Sequence, residues 1–363
     1  MNPLNPGLYS GPYVISELKF GSHIIFTPNP HFYGTKPNIK KIVVKLIPNT
    51  GTMEAFLRSG EIDVIASLGI SFDQAVEIEK KVKAEKLPLV VIFQDGTTYE
   101  HIDFNLDQEI LKDIRMRKAL SHAINKKEIT DSLFAGKQKP ALHDRSPIDS
   151  AYTDDPKKVF LYKYDKKMAR QLLDEMGWVP GKDGVREKNG QRLRIAFATT
   201  AGDKTREQVQ ALLQSYWKDV GVEVEIKNEL ARVFFGETLK QRKFQGMAMF
   251  AWSTVPELGL RVIHHSSAIP TLENNWSGSN RMGWKNSKVD SLYDQFDGEF
   301  NRNKRRKILQ EIMKEYTRDI PVIPMYYRAD VAVRPANLEG FEVTGTAFYE
   351  TYNAEKWNVK KAD

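Results

Sequence analysis

Apolar strands and amphipathic helices alternate along residues 193–253, and this alternation limits the possible folds more than any other feature of the sequence. Leu193, Ile195 and Phe197 have the period-2 spacing of a strand. The predicted elements after it are a helix at 209–220, a strand at 222–226, a helix at 234–239 and a strand at 247–252. This β-α-β-α-β order is typical of an open α/β domain whose strands are covered by helices.

The last of these strands ends in a way that is typical of a ligand pocket. Trp252 closes the apolar run, and Ser253, Thr254 and then Glu257 follow it. Ligands of open α/β sheets bind beyond the carboxyl ends of the strands, where such side chains are within reach. We therefore predict a pocket wall here, although a tryptophan that only fills the core before a loop explains the same residues.

Length and composition set further limits. The chain has 363 residues, and one hydrophobic core stops growing at roughly 250–300, so we expect two lobes. No apolar run approaches the ~20 residues of a membrane helix. The absence of cysteine excludes disulfide scaffolds, thiolate metal sites and cysteine nucleophiles. The net charge of +7 is spread along the chain, and its densest basic cluster, 302–307, leads into an apolar helical stripe. We interpret that cluster as a solvated helix end and expect no nucleic-acid partner.

The first part of the chain also alternates between predicted strands and helices. Strands are predicted within 11–47 and at 61–65, and helices around 56–60 and at 72–83. This order predicts a mostly parallel sheet. Two apolar segments, 87–96 and 320–327, are expected to cross between the lobes, and the two prolines of the second place it at a sheet edge.

Local signals predict several helix starts and turns. Asn125 begins a pattern similar to a capping box, and Asp165 is a typical N-cap before an apolar stripe. Asn189 and Gly190, between two apolar positions, predict a type I′ hairpin. A loop rich in Asn, Ser and Gly is predicted at 265–287, and loops of this length are usually functional or disordered.

No group of residues has the spacing of a catalytic, metal or cofactor site. A phosphate-binding loop and a dinucleotide-binding motif are both missing. His264 and His265 are adjacent, and neighbours on a strand point to opposite sides. His143, Asp144 and Ser146 have the residue types of a hydrolase triad, but triads are assembled from separate segments of the chain. We therefore predict no catalytic residue, no metal site and no cofactor, and favour a binding protein over an enzyme.

Six segments in order resemble the peptide- and nickel-binding class of extracytoplasmic solute-binding proteins, the ligand-capturing subunits of ABC importers. They are GPYVISELKFGSHIIFTPNPHFYG (11–34), FLRSGEIDV (56–64), FNLDQEILKDIRMRKALSHAINKKEITDSLFAGKQKPA (104–141), YDKKMARQLLDEMGW (164–178), FQGMAMFAW (244–252) and IPVIPMYY (320–327). Each segment is a weak signal alone, but their order over nearly the whole chain is specific.

The resemblance implies an α/β, two-lobed, type II periplasmic-binding-protein-like fold that encloses its ligand between the lobes. Lobe I would combine 1–92 with 326–363, and the second large lobe would be 93–325. Family members have a signal peptide and the opening of lobe I before the Gly-Pro-Tyr hairpin. The residues that precede Gly11 show neither. The resemblance therefore implies that the N-terminal part of the protein is missing from this chain.

The resemblance also implies a function, namely capture of an oligo- or dipeptide by hinge closure and its delivery to a membrane permease. The residues that we expect to contact the ligand are Trp252, Ser253, Thr254, Asn275, Tyr326 and Tyr327. Peptide binders of the family commonly hold the amino terminus of the ligand with an Asp three residues after this Trp. Val255 occupies that position here. Glu257 is the candidate ligand residue that would substitute for the missing Asp, although a loop carboxylate without contact to the ligand explains it equally well.

Three alternatives remain open at this point. The first is a carrier of nickel, a metal chelate or another small solute within the same family. The second is a hydrolase in the same cleft, which would need a histidine beside Ser253 or Thr254. The third is an interaction domain whose cleft is filled by its own side chains. For the leading hypothesis we expect a monomer in the periplasm or elsewhere outside the cytoplasm, with a membrane anchor left open, and an ABC permease as partner.

Overall fold

The chain divides into two compact units. The computed structural model describes residues 2–47, 49–67, 69–346 and 348–360. The first unit combines Met1–Gln94 with Ala329–Asp363, and the second is Asp95–Arg328. The chain therefore passes from one unit to the other twice, each time within a long strand.

The described residues form the following elements. The strands are β1 (Tyr13–Lys19), β2 (His23–Pro28), β3 (Ile42–Lys45), β4 (Leu89–Phe104), β5 (Val179–Pro180), β6 (Arg186–Lys188), β7 (Gln191–Arg192), β8 (Arg194–Ala198), β9 (Glu223–Ile226), β10 (Met247–Ser253), β11 (Val322–Pro335), β12 (Leu338–Glu339) and β13 (Asn358–Val359). The α-helices are α1 (Met53–Ser59), α2 (Phe72–Glu85), α3 (Glu109–Lys112), α4 (Ile114–His122), α5 (Lys126–Phe134), α6 (Lys166–Glu175), α7 (Lys204–Asp219), α8 (Ala231–Val233), α9 (Arg261–His264), α10 (Ser287–Gly298) and α11 (Arg302–Asp319). Short 3₁₀ turns lie at Pro6–Leu8, Thr50–Thr52, Ser266–Ala268 and Glu350–Lys356, and a π-helical turn lies at Phe234–Leu239.

The first unit contains an antiparallel sheet, β1-β2-β3, so the mostly parallel sheet predicted for this region is wrong. Only residues 20–22 separate β1 from β2, with Gly21 at φ 73° in the turn. A connection this short joins antiparallel strands, because a parallel pair needs a crossover of a dozen or more residues. The strand predicted at 61–65 is reduced to one bridge between Ile65 and Val333. Apolar alternation locates strands but does not encode their direction.

The second half of β11 holds the core of the first unit together. Val331 and Val333 are buried on one side against residues of α1 and α2 such as Leu57 and Ile78. Ala332 between them is buried on the other side, in a cluster with Trp357 and neighbouring residues of the C-terminal segment. Successive residues of a strand point to opposite faces, so one strand serves two apolar layers. Each aliphatic side chain that is fully buried contributes about 1.5–3 kcal/mol.

The second unit contains a five-stranded sheet in the order β11-β4-β10-β8-β9. β8 pairs in parallel with both β9 and β10, whereas β10 is antiparallel to β4. α7 connects β8 to β9, and α8 with the π-helical turn connects β9 to β10. The predicted β-α-β-α-β order is confirmed. β11 lies at an edge of the sheet, as the prolines of its segment predict.

The predicted helix caps and hairpin are confirmed. The side chain of Asn125 accepts a hydrogen bond from the Glu128 amide at the start of α5, and Asp165 caps α6 in the same way. The hairpin between β6 and β7 turns at Asn189 and Gly190, with φ angles of 51° and 76°. These positive angles at both central residues are those of a type I′ turn. None of the helices in the described residues is long and apolar enough to cross a membrane.

The loop predicted at 265–287 is anchored from within by one amide side chain. Asn280 is completely buried and donates hydrogen bonds to the carbonyl oxygens of His265, at 3.1 Å, and Trp284, at 2.8 Å. Its oxygen accepts a bond from the Trp284 amide at 3.0 Å. A single side chain therefore satisfies three backbone groups of a segment that has little regular structure.

Replacing this anchor is expected to destabilise the second unit. Asn280→Ala leaves buried backbone groups without partners and should lower the free energy of unfolding by about 2 kcal/mol. Asn303→Ala, on the exposed surface of α11, is the matched control and should change it by less than about 0.5 kcal/mol. Urea denaturation followed by tryptophan fluorescence measures both. Equal midpoints for the two variants would show that Asn280 does not hold the loop.

Candidate functional site

The carboxyl ends of β8 and β10 form a point at which ligands of open α/β sheets bind. From β8 the chain proceeds through α7 to β9 on one side, and the next strand, β10, lies on the other side of β8. Such a reversal of strand order leaves a crevice between the two adjacent strand ends, because their connections depart in opposite directions. All of these elements belong to the second unit.

Polar side chains cluster at this edge of the sheet. We call them the strand-end site, which consists of Thr98, Glu100, Thr200, Arg206, Ser253 and Arg328. Ser253 is the last residue of β10, and its hydroxyl lies 2.8 Å from that of Thr98 on the neighbouring strand β4. Ser253 is exposed, so this pair of hydroxyls is accessible to a ligand. Thr254 is instead buried, with its amide and its hydroxyl both donating to the Thr97 carbonyl oxygen.

A buried carboxylate with two arginines forms the centre of the strand-end site. Glu100 is fully buried, and the Nε and Nη2 atoms of Arg206 donate to its oxygens at 3.3 and 3.2 Å. Arg328 also donates to Glu100 through Nη2. A second nitrogen of Arg206 donates to the Thr200 hydroxyl at 2.9 Å. The Asp203 carboxylate also lies 3.6 Å from Arg206, so two guanidinium groups face two carboxylates and the charges of the cluster balance.

Arg328 is the member of this cluster that a ligand can reach. Its side chain is 42% exposed, and its other N–H groups have no hydrogen-bond partner within the described residues. Burial lowers the pKa of Arg328, but Glu100 together with Tyr326 and Asp203 outweighs that effect, so the pKa of Arg328 is raised. The guanidinium is therefore held cationic with donors to spare. Those donors suit a carboxylate or carbonyl group.

Trp252 and Ser253 lie on opposite faces of the sheet, because successive residues of a strand alternate. Trp252 stands opposite Tyr99 and is half-buried among the apolar clusters of the second unit. The guanidinium of Arg281 covers its ring at 5.5 Å from the centroid and also covers Phe250 at 5.1 Å. Desolvation lowers the pKa of Arg281 against the opposing charge of Asp103. The predicted pocket wall is thus divided between two faces of β10.

The remaining predicted ligand residues have different surroundings. Glu257 forms a bidentate ion pair with Arg302 and accepts a hydrogen bond from Ser150 at 2.9 Å. The hydrogen bonds from Arg302 lower the pKa of Glu257, more strongly than desolvation raises it. Asn275 is exposed in the long loop, with a left-handed φ of 55°. Neither residue is part of the strand-end site.

Tyr326 and Tyr327 lie in the second unit and are buried, with exposed fractions of 2% and 1%. The Tyr327 hydroxyl donates to the His143 carbonyl oxygen at 3.0 Å and accepts from the Leu142 amide at 3.3 Å. The Tyr326 ring packs against the ring of Phe134, the last residue of α5. The hydrogen bonds of Tyr327 hold the 140–143 segment against β11. Arg328, the next residue of the strand, is the first whose hydrogen-bond donors are accessible to solvent.

The residues with the types of a hydrolase triad do not form one. Ser146 donates to the Gly96 carbonyl oxygen at 2.6 Å. The Nε2 atom of His143 donates to the Thr153 carbonyl oxygen at 2.8 Å, and Nδ1 accepts from the Arg145 amide at 3.1 Å. Both ring nitrogens are therefore occupied by the backbone. Ser253 and Thr254 have no histidine partner in the part of the chain that the structure describes.

Comparison with known proteins identifies the family. The model of the bacterial extracellular solute-binding proteins, family 5, middle region, matches residues 2–263. The chain belongs to this family. Its fold is that of the type II periplasmic binding proteins, as the family match and the solved structures show.

Three relatives are similar to nearly the whole of this chain. The oligopeptide-binding protein AppA of Bacillus subtilis is 27% identical over 362 residues, covering 97% of this chain and 62% of its own length. An oligopeptide-binding protein from Thermus thermophilus with a pentapeptide is 29% identical, with a TM-score of 0.69 and coverage of 100% and 66%. NikZ of Campylobacter jejuni with Ni(L-His) is 25% identical, with a TM-score of 0.69 and coverage of 96% and 68%. The chain thus spans about 62% of the length of AppA.

Sequence reasoning missed most of the strand-end site of this family 5 protein. Glu100, Arg206 and Arg328 come from three distant segments, and only the folded sheet brings them together. One signal was present: Thr199 and Thr200 directly follow β8, and hydroxyl residues likewise lie at the end of β10. Since parallel strands end at the same edge, that pattern predicts a second wall of the site.

Removing the buried arginine should destabilise the second unit. Arg206→Met leaves Glu100 with a single partner and is expected to lower the free energy of unfolding by about 3 kcal/mol. Arg232→Met is the matched control, since Arg232 is exposed on α8, and should change it by less than about 0.5 kcal/mol. Chemical denaturation measures both. Indistinguishable midpoints would contradict the role given to the arginine–glutamate cluster.

Proposed function

We propose that this family 5 protein is the substrate-binding subunit of an ABC importer and captures an oligo- or dipeptide. The observation that carries the proposal is the strand-end site, where Arg328 keeps unused donors beside an accessible pair of hydroxyls at the reversal of strand order. A peptide supplies hydrogen-bond acceptors for these donors. Its terminal carboxylate can accept from the guanidinium, and its main-chain carbonyl groups can accept from the hydroxyls.

An extended peptide also suits the end of a β-sheet. Main-chain groups pair with a strand independently of the peptide side chains, so a carrier that uses them accepts many sequences. The relatives that bind a nonapeptide and a pentapeptide support this ligand class. The guanidinium of Arg281, on the Trp252 face of β10, has no hydrogen-bond partner within the described residues and is the second candidate for a ligand carboxylate.

Hinge closure is the proposed mechanism of capture. The lobes would be 1–92 with 326–363 and 93–325, joined by two strands that bend when the ligand contacts both sides. Ligand contacts that exist only in the closed form shift the population towards it, and the permease would recognise that form. We propose that the protein acts as a monomer outside the cytoplasm, in the periplasm or anchored to the membrane.

Glu257 is the proposed partner of the ligand amino terminus. Its carboxylate now pairs with Arg302, an exposed residue, and exposed ion pairs are worth only about 0–1 kcal/mol. A ligand amine can therefore displace Arg302 at low cost. The Glu257 carboxylate is then available to the ligand amine. It would take the role of the Asp that other peptide binders have at the position of Val255.

A nickel chelate is the second candidate ligand. NikZ of Campylobacter jejuni binds Ni(L-His), and this chain is 25% identical to it. No three His, Asp or Glu side chains in the described residues are grouped as a metal site requires. A metal would therefore have to arrive with its own ligands, whose carboxylates Arg328 or Arg281 would bind.

Thermal unfolding with defined ligands tests the proposal. At a concentration of 100 times Kd, a bound peptide should raise Tm by about 5 °C, because it binds only the folded state. Arg328→Met should abolish the increase, and Arg232→Met should retain it. If Arg281→Met abolishes it instead, the ligand lies on the Trp252 face. An increase with Ni(L-His) but with no peptide of two to nine residues would replace the peptide by a metal chelate, and an increase with neither would refute the proposal.

The role of Glu257 has a separate prediction. Glu257→Gln should weaken binding of a peptide with a free amino terminus by about tenfold, which corresponds to 1.4 kcal/mol. The same peptide with an acetylated amino terminus should bind the variant and the wild type equally. Isothermal titration calorimetry measures all four affinities. Equal losses for the two peptides would show that Glu257 does not contact the ligand amine.

A further inference from the structure

The second unit contains a cavity of about 330 Å³ that the strand-end site does not use. It lies between the start of α5, the 140–143 and 160–164 segments, the end of α11 and the start of β11. Its volume is at the small end of the range for small-molecule sites. Much of its wall is apolar, including Phe160, Leu161, Ile320 and Val322.

The cavity is distinct from the strand-end site. Val322 and Pro324 of β11 line it, and Arg328 lies four residues beyond Pro324 on the same strand. At about 3.3 Å per residue, Pro324 and Arg328 are about 13 Å apart. Arg328 is not among the residues that line the cavity. The cavity therefore needs its own explanation.

The charged groups around the cavity are all cationic. Lys126, Lys127 and Lys163 line it, and the lining contains no Asp or Glu. The ammonium of Lys126 donates to the Ala141 carbonyl oxygen at 3.1 Å and has no other partner within the described residues. Lys126 is also the first residue of α5, where the helix dipole favours an anion. The wall of the cavity therefore complements a ligand that has an apolar body and one negative charge.

We propose that this cavity is a second ligand site and takes a small organic anion with an apolar body, of the kind of a medium-chain carboxylate. The carboxylate pairs with Lys126, and the chain lies against Phe160, Leu161, Ile320 and Val322. The inference does not depend on peptide binding at the strand-end site. The two sites can therefore fail or succeed separately.

The protonation of Lys126 links this binding to pH. Although the residue as a whole is only half-buried, desolvation lowers the pKa of Lys126 to about 7. An anion needs the charged amine, so binding above pH 7 requires uptake of a proton. Between pH 7 and pH 9 the affinity should fall about 50-fold, since the charged fraction decreases from one half to about one hundredth.

The other titratable groups that line the cavity are His143, Lys127, Tyr162, Lys163, Tyr164 and Tyr316. Burial lowers the pKa of His143, so its ring is neutral in this range, and raises the pKa of Tyr162 to about 12. Burial raises the pKa of Tyr316 as well. Lys127 is ion-paired with Asp131. If the pH dependence of the affinity is measured for the wild type and for a variant without Lys126, the difference gives the contribution of Lys126 alone.

Calorimetric titration of octanoate into the whole protein tests the proposal, with Lys126→Met as the variant and Lys167→Met, an exposed lysine of α6 outside the cavity lining, as the matched control. Octanoate should bind the wild type saturably, at least tenfold more weakly to Lys126→Met, and within twofold of the wild type to Lys167→Met. Octan-1-ol, which carries no charge, should bind the wild type and Lys126→Met equally. At pH 8, titrations in two buffers of different ionisation enthalpy should show proton uptake by the wild type and none by Lys126→Met.

Three results would overturn the proposal: no saturable octanoate binding, equal losses in the two variants, or an affinity independent of pH. A melting curve of Lys126→Met guards against misfolding. Because the substitution removes a desolvated amine, its Tm should be at least that of the wild type at pH 7. If Tm falls instead, Lys126→Gln replaces it in the same titrations.

Discussion

The Glu100 carboxylate has no access to water, and its neutralisation is the interaction on which the strand-end site depends. An uncompensated charge at such a position costs several kcal/mol, so the fold has to supply cations there. Arg206 comes from the covering helix α7, and Arg328 comes from the edge strand β11. Because both arginines donate to Glu100, this carboxylate connects α7 and β11 to β4. The same cluster leaves Arg328 partly exposed with donors to spare. If Arg328 binds the ligand as proposed, stability and ligand recognition share one set of charges.

The arrangement at the strand ends is suited to binding rather than to bond cleavage. The hydroxyls of Ser253 and Thr98 bond to each other, and Thr254 bonds to the backbone, so none of them is activated by a base. Fixed donors and a held positive charge recognise anionic and carbonyl groups without changing them. This agrees with the family of solute-binding proteins to which the chain belongs.

Much of the second unit could be predicted from its sequence, because strand and helix periods, caps and the Asn189–Gly190 turn are encoded locally. The direction of strands in the first unit could not, since connection length rather than apolar alternation decides it. The site was predicted only in part. Ser253 could be predicted because it follows the apolar run of β10. However, side chains alternate between the two faces of a strand, so Ser253 and Trp252 lie on opposite faces of the sheet. Glu100 lies in the polar part of β4, beyond the apolar segment 87–96. Its partners are 106 and 228 residues away, so no local pattern reveals the cluster.

Hydrogen exchange followed by mass spectrometry, with and without a saturating peptide, tests most directly whether the ligand binds at the ends of β8 and β10. If the peptide binds there, the amides at 199–203 and 253–255 should exchange more slowly in the complex, because the bound peptide covers both strand ends. Protection confined to other segments, with these amides exchanging as fast as in the free protein, would contradict binding at this site.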